Sequence, residues 1–357
     1  MAGAIKGRGA QSQPPGRFDK LTKEFEHDGW YDEEPPNKHE TIVLPEPARS
    51  IISRNKSPDI GFGQSINPYR GCEHGCVYCY ARPSHSYIGL SPGLDFETRL
   101  FYKADAAKLL ESELAAPNYR CAPIMLGANT DPYQPLERSL KVTRSLLEVL
   151  LRCRHPVAIT TKGALVARDV DLLAALACDG LVQVMFSIPT LDDDLKRILE
   201  PRAASARAKL KAMRVLANEG VAVGVLVAPI IPVITEHEVE SVLQAARESG
   251  ASLAGYTILR LPWEVKDLFR EWLAEHFPER AAHVMSLVRA MRGERDNDPD
   301  FGTRMHATGP VAQLIRQRFQ LASRRLGYAR ERVRNLPTNL FQPPLRTHPQ
   351  LNLDLPM

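Results

Sequence analysis

From residue 122 to residue 276 the chain alternates short, almost wholly apolar runs with stretches whose apolar residues recur at helical spacing. No other feature constrains the fold as strongly. The apolar runs are 122–128 (APIMLGA), 156–161 (PVAITT), 181–188 (LVQVMFSI), 221–229 (VAVGVLVAP) and 252–260 (SLAGYTILR). Amphipathic segments at 137–152, 169–178, 203–219, 236–249 and 264–276 read as helices, two of them stopping at Gly220 and Gly250. Strands without polar alternation, each followed by a helix, are the pattern of a parallel sheet buried on both faces. A strand at about 63–67 and a helix at about 104–115 bring the count to six β/α units. Right-handed crossovers allow such a series to be a doubly wound sheet or a partial barrel, and the pattern alone leaves both open.

The loop after the first strand holds Cys72, Cys76 and Cys79 in the run NPYRGCEHGCVYCYARP, a C-x3-C-x2-C spacing with Tyr78 just before the last cysteine. Three thiolates on one short loop suit three irons of a cubane [4Fe–4S] cluster, leaving the fourth iron without a protein ligand. An open iron fits a cluster that does chemistry rather than one that only passes electrons. The other reading of these residues is a zinc site closed by His74 or a distant side chain. His74 lies between two of the cysteines, and no second C-x2-C or H-x3-H pair stands elsewhere in the chain.

The 357 residues suffice for one large α/β domain with extensions. Six cysteines, three of them in the metal-type triplet, argue for a reducing, cytoplasmic setting rather than for disulfides. No apolar run approaches the length of a membrane span, and the first residues carry no apolar h-region, so neither a membrane nor a secreted location is expected. The formal net charge of +4 mildly favours an anionic partner.

In a barrel built this way the chemistry sits at the C-terminal ends of the strands. That rule selects Asn129, Thr130 and Asp131 after the second strand, Thr161 and Lys162 after the third, and Ser187, followed by Glu200 and Arg202, after the fourth. Pro229 and Arg260 close the fifth and sixth. Cys121, Cys153 and Cys178 fall just before strands, at the opposite face, where small buried packing residues are expected.

Taken in order, these segments resemble the spore photoproduct lyase-like (DNA repair photolyase-like) branch of the radical S-adenosylmethionine (radical SAM) superfamily. The resemblance spans roughly residues 60–260. It rests on the cysteine loop, the run LGANTDPYQPLERSL, TTK after the third strand, FSI at the end of the fourth, an EPR turn, and VLVAPIIP. It implies an α/β fold, the partial (β/α)6 TIM-type barrel of the radical SAM core, with a helical and loop-rich C-terminal extension. It also implies a [4Fe–4S] cluster on Cys72, Cys76 and Cys79, with S-adenosyl-L-methionine at the open iron. Tyr78, Asn129, Thr130, Asp131, Lys162, Ser187 and Glu200 are then the expected cofactor contacts, with Tyr78, Tyr80 and Asn129 in the catalytic group. The two tyrosines match positions that relay a hydrogen atom back to the cofactor. Where the lyases carry a radical-quenching cysteine in the run after strand two, this chain has Asn129. That puts thymine-dimer reversal in doubt and turns attention to Tyr78, Tyr80, Tyr133, Tyr256 or 5′-deoxyadenosine itself as the quencher.

Outside this core, residues 1–40 read as a flexible leader before a core at 41–280, a basic helical extension at 281–335 and a Pro-rich tail at 336–357. Residues 311–326 form an amphipathic helix, and between 311 and 334 seven arginines stand against the single acid Glu331. Arg316, Arg318, Arg324 and Arg325 are therefore candidate phosphate contacts for a nucleic acid, or else a solvated polar face. The polar loop 292–310 has the length of a cover for the barrel mouth, with Arg304 and His306 as possible substrate contacts. The leading function is hydrogen-atom abstraction from a nucleic acid or nucleotide, with an electron donor such as flavodoxin or ferredoxin as partner. The alternatives are the same chemistry on a protein, peptide or small metabolite, and a zinc- or cluster-stabilised nucleic-acid-binding module without catalysis.

Overall fold

Six parallel strands stand side by side in the order in which they occur in the chain, and this settles the architecture. The computed structural model describes residues 7–19, 40–329 and 335–345. Its strands are β1 (Ile42–Pro45), β2 (Ile52–Arg54), β3 (Gln64–Ile66), β4 (Tyr69–Arg70), β5 (Arg99–Tyr102), β6 (Ile124–Leu126), β7 (Val157–Thr161), β8 (Val182–Ser187), β9 (Ala222–Ile230) and β10 (Leu253–Ile258). The main sheet runs β2-β3-β6-β7-β8-β9-β10, with β2 antiparallel on the edge and every other pair parallel. A doubly wound sheet reverses its strand order at a switch point. Here no reversal occurs, so the sheet winds in one direction as a partial (β/α)6 barrel. Strands β1, β5 and β4 form a small separate sheet beside the cysteine loop.

The strands alternate between two faces. Val182, Val184 and Phe186 of β8 and Val223, Val225 and Val227 of β9 join one core with the surrounding helices. The alternate positions are mixed: Gln183, Met185 and Ser187 on β8, Gly224, Leu226 and Ala228 on β9, Thr160 on β7. A Cβ at Gly224 would lie 2.6 Å from Met185 Sδ and 2.7 Å from Leu253, so the lumen admits no side chain there. The helix expected over 137–152 is two helices, Glu137–Leu140 and Val142–Arg152, broken at Lys141 with φ +54°.

The C-terminal extension is more than a basic appendage. Helices Val265–His276 and Pro278–Ala290 pack Phe269, Trp272, Val284 and Val288 into a second core that includes Cys76, Val77 and Tyr78. The boundary read at residue 280 falls inside the second of these helices, and the core is continuous across it. Within the stretch read as a leader, residues 7–19 are described and lie against the barrel; Ala10 is buried beside Leu94 and Leu268. Residues 20–39 and 346–357 lie outside the described residues. Among the described residues no helix is long and apolar enough to cross a membrane.

Two buried imidazoles give the fold a pH dependence. His85 donates through Nε2 to Arg99 O at 3.0 Å and packs on Phe96, while His155 sits between the Tyr119 hydroxyl and Pro156 O. Burial pushes each down to about 4. The unfolded chain takes up these protons at higher pH than the native state. The stabilisation is therefore complete above about pH 6.5 and is lost as the pH falls towards 4, at roughly 2–3 kcal/mol per histidine. Denaturant midpoints at pH 7.5 and pH 5 are expected to differ in that direction; equal midpoints would contradict it.

Candidate active site

The cysteine loop at the end of β3 is held in place by contacts from every side. Gln134 accepts from Glu73 N at 2.9 Å and donates to Gly71 O at 3.2 Å. From the EPR turn, Arg202 N donates to His74 O, its guanidinium meets Glu73 at 2.8 Å, and Leu199 O accepts Val77 N. The Arg82 guanidinium binds Gly75 O, Cys76 O, Pro92 O and Gly93 O and pairs with Glu97 at 2.5 Å, both side chains fully buried. Glu97 also accepts the N–H groups of Gly9 and Ala10, at 3.0 and 2.8 Å, laying the N-terminal segment over the loop. A Cβ at Gly9 would lie 1.7 Å from Gly75 O, so only glycine passes there.

Inside the barrel mouth, residues from separate strand ends meet in one network. Lys162 Nζ lies 2.9 Å from Glu200 Oε1 and donates to Ser187 Oγ at 2.7 Å, and Ser187 donates in turn to Ala228 O at 2.9 Å. The Tyr78 hydroxyl donates to Glu200 Oε1. On the other carboxylate oxygen sits Lys209, 3.0 Å away and almost completely buried, which also donates to Ser187 O. Burial opposes all three charges. Even so, Lys162 and Lys209 hold the Glu200 carboxyl far below the usual carboxylate range. Glu200 in turn holds Lys162 up, while burial leaves Lys209 below its usual value.

Asp131 serves the scaffold. Its carboxylate accepts from Thr161 Oγ1 and Lys162 N, each at 2.6 Å, and from Tyr133 N at 2.8 Å, with His74 Nδ1 at 3.4 Å. Burial alone would raise its pKa; His74 and these hydrogen bonds hold it below the ordinary value. Thr130 is buried and donates to Tyr69 O, and Asn67 Oδ1 accepts from the backbone N–H groups of Asn129 and Thr130. Of this trio only Asn129 has a side chain clear of such contacts among the described residues. Beside it, Tyr80 is 54 % exposed and donates to Ala128 O, bridging the cysteine loop to the end of β6. Tyr133 is buried with its hydroxyl on Asp169, and Tyr256 packs against Phe319 on the helical side of the sheet. Among the tyrosines weighed as radical quenchers, Tyr80 is therefore the one that faces the mouth, and Tyr78 is sealed against Glu200.

The profile of the Radical SAM superfamily matches residues 66–246, half of the chain, from the cysteine loop through Lys162, Ser187, Glu200 and Lys209. The chain belongs to that superfamily. A protein of Mycobacterium tuberculosis is 34% identical over 242 residues, covering 66% of this chain and 71% of its own length. One of Methanocaldococcus jannaschii is 27% identical over 191 residues, covering 54% and 68%. Among solved structures, spore photoproduct lyase complexed with dinucleoside spore photoproduct superposes with a TM-score of 0.58 at 16% identity, covering 80% of both chains. A lyase variant with bound AdoMet and the same dinucleoside gives 0.56 at 17%. At these identities the likeness establishes the fold, which is that of the radical SAM partial barrel.

Superfamily membership implies an iron–sulfur cluster and S-adenosylmethionine, and the residues present fit them. Cys72, Cys76 and Cys79 are free thiols on one buried loop. Burial pushes all three thiols up, with Asp131 adding to Cys72 and Glu200 to Cys76. Left to themselves they stay protonated at neutral pH, and an iron centre is the counter-charge that would hold them as thiolates. Among the described residues no three His, Cys, Asp or Glu side chains converge as a single metal ion would require. A cluster that takes one thiolate per iron makes no such demand. Cys121 and Cys153 lie before β6 and β7, at the other end of the barrel.

The basic C-terminal helix, Gly309–Arg325, packs outside the barrel. Arg318 is bound by both oxygens of Glu240, at 2.8 and 2.6 Å, and fixes this helix to its neighbour Val239–Glu248. Arg316 donates to Ala307 O and Arg324 to Gln320 O. Arg318 thus docks this helix through Nε and one terminal nitrogen, both bound to a carboxylate. Arg330, Arg332 and Arg334 lie outside the described residues.

Proposed function

We propose that this protein uses a [4Fe–4S] cluster on Cys72, Cys76 and Cys79 to cleave S-adenosylmethionine and abstract a hydrogen atom from a nucleic acid or nucleotide. The observation that carries the radical chemistry is the convergence of the three-thiol loop with Tyr78, Lys162, Ser187 and Glu200 at the C-terminal strand ends. When bound, the cluster supplies the electron that splits the sulfonium of the cofactor and yields a 5′-deoxyadenosyl radical. The chain's own residues hold and shield that reaction. Glu200 keeps Lys162 charged and fixed beside Ser187, so that an ammonium and a hydroxyl face the cofactor's polar groups from β7 and β8. Asp131 sets the backbone from which Lys162 projects. Asn129 and the exposed Tyr80 form the wall towards the substrate.

The substrate class rests on the likeness to the lyase fold, which has been solved in complex with a dinucleoside. The absence of a thiol at Asn129 separates this chain from a thiol-quenched lyase: an amide holds its hydrogens too tightly to give one up to a carbon radical. Anaerobic incubation of the reconstituted protein with dithionite and S-adenosylmethionine is expected to yield 5′-deoxyadenosine, and a single-stranded oligonucleotide is expected to raise the yield. A fully loaded cluster that produces none under either condition would refute the catalytic reading.

A further inference from the structure

Three guanidinium groups meet where β10 ends, and two of them are held by the fold. Arg292 donates to Ile258 O, Leu259 O, Arg304 O and His306 O, at 3.0 to 3.2 Å, tying the loop 292–308 to the end of the strand. Arg304 is paired with Asp59 at 2.6 Å, donates to Ser57 Oγ and stacks over Phe301 at 4.2 Å, closing the same loop onto residues 57–59. Arg260 is different. It stands two residues past β10, at the C-terminal end of the last barrel strand. Its acceptor among the described residues is the thioether of Met305, a weak one, and its Nε is buried with no hydrogen-bond partner. Burial first and Arg304 second pull its pKa down, against smaller opposing pulls from the Tyr80 hydroxyl, Asp59 and Asp298. The nearby acid Asp59 is already bound by Arg304 and by Gly302 N.

A half-buried guanidinium with other cations beside it and no strong acceptor of its own is costly unless an anion completes it. The planar fork of arginine matches a phosphate better than any other side chain does. An exposed ring, Tyr80 on the cysteine loop at 54 %, lies within electrostatic reach of it, and Phe301, exposed at 66 %, lies under the neighbouring Arg304 guanidinium on the loop that carries Met305. A cation beside solvent-facing aromatics is the combination that tracks a single strand, with phosphate on the guanidinium and a base on a ring.

We infer that Arg260 is the phosphate-binding residue of the substrate site, gripping a phosphodiester at the barrel mouth next to Tyr80. The inference rests on the nucleic-acid reading above and names the residue that anchors such a substrate. The other oxyanion able to occupy the same fork is the methionine carboxylate of the cofactor, and the test separates the two.

Full-length protein and the Arg260→Gln variant would be titrated against a fluorescently labelled hexathymidylate at several salt concentrations, and against S-adenosylmethionine by equilibrium dialysis of the reconstituted protein. Arg260→Gln is expected to weaken the hexathymidylate about tenfold and to make the salt dependence shallower by about 0.7. Arg260→Lys should recover part of the affinity, and cofactor affinity should stay the same. Unchanged hexathymidylate binding with weakened cofactor binding would hand the residue to the carboxylate and overturn the inference; so would no change in either. If the unaltered protein binds no hexathymidylate at any salt, the nucleic-acid reading fails by itself. Inorganic phosphate then decides the oxyanion site through tryptophan fluorescence, since Trp263 is exposed three residues away. Quenching lost in Arg260→Gln supports the site, and equal quenching in both proteins overturns it.

Discussion

Replacing any one of Cys72, Cys76 and Cys79 with alanine is expected to abolish both cluster absorbance near 400 nm and formation of 5′-deoxyadenosine. The same change at Cys121, Cys153 or Cys178 should leave both intact. The reason is positional. The first three lie on the loop clamped by Arg82, Glu97, Gln134 and Arg202. Cys121 and Cys153 precede strands at the far end of the barrel, and Cys178 ends the helix Val170–Cys178 and is exposed. A cubane deprived of one of three thiolates has no spare thiol to replace it, because the loop holds no fourth cysteine. Iron and sulfide content, visible absorbance and product chromatography of the six single variants provide the check. Cofactor cleavage surviving any one of the first three changes would overturn the assignment.

The second large effect belongs to Glu200. Its carboxylate is completely buried between Lys162, Lys209 and the Tyr78 hydroxyl. Glu200→Ala leaves two ammonium groups facing each other in a poorly solvated pocket. Breaking a buried ion pair in this way costs about 3–5 kcal/mol, more than the net worth of the intact pair. Urea unfolding is expected to show a loss of unfolding free energy of that size, read from the midpoint shift and the slope. Reconstituted variant that still folds should bind S-adenosylmethionine poorly, because Lys162 and Tyr78 lose the group that positions them. Adding Lys209→Met to Glu200→Gln should restore part of the stability by removing the more deeply buried unpaired cation, while leaving cofactor binding impaired. An unfolding free energy within about 1 kcal/mol of that of the unaltered protein would contradict this, since changes at exposed sites have effects no larger than that.

The two predictions draw on residues of unequal visibility in the sequence. The six strands were legible because a parallel strand covered on both faces must be apolar along its length, and their ends could be placed within a residue or two. Lys162, Ser187 and Glu200 were reachable by one rule, that strand C-termini face the mouth, and they share a network in the structure. Lys209 was missed, although a signal existed. In the helix Ala206–Asn218 it occupies the same buried stripe as Ala206, Met213 and Leu216, where a charge is costly unless something pairs with it. Arg82 and Glu97 gave no such signal, because their partnership joins the cysteine loop to a segment beyond it and to the N-terminal residues. Thr130 and Asp131 show the limit of the strand-end rule. It locates a residue along the barrel axis but not the direction of its side chain, and both turn into the scaffold while Asn129 does not. In the C-terminal helix the run of arginines left two readings open, a phosphate surface or the polar face of a docked helix, and Arg318 is seen docking it to Glu240. Arg260, isolated in the sequence, stands at the mouth with the Met305 thioether as its acceptor among the described residues.

Electron paramagnetic resonance of the dithionite-reduced protein, recorded with and without S-adenosylmethionine, tests the central claim most directly. A cluster on Cys72, Cys76 and Cys79 with one open iron predicts a reduced [4Fe–4S] signal whose g values shift when the cofactor is added. A signal that is identical in both spectra, from protein carrying four irons per chain, would mean that no iron is open to the cofactor and would contradict the account.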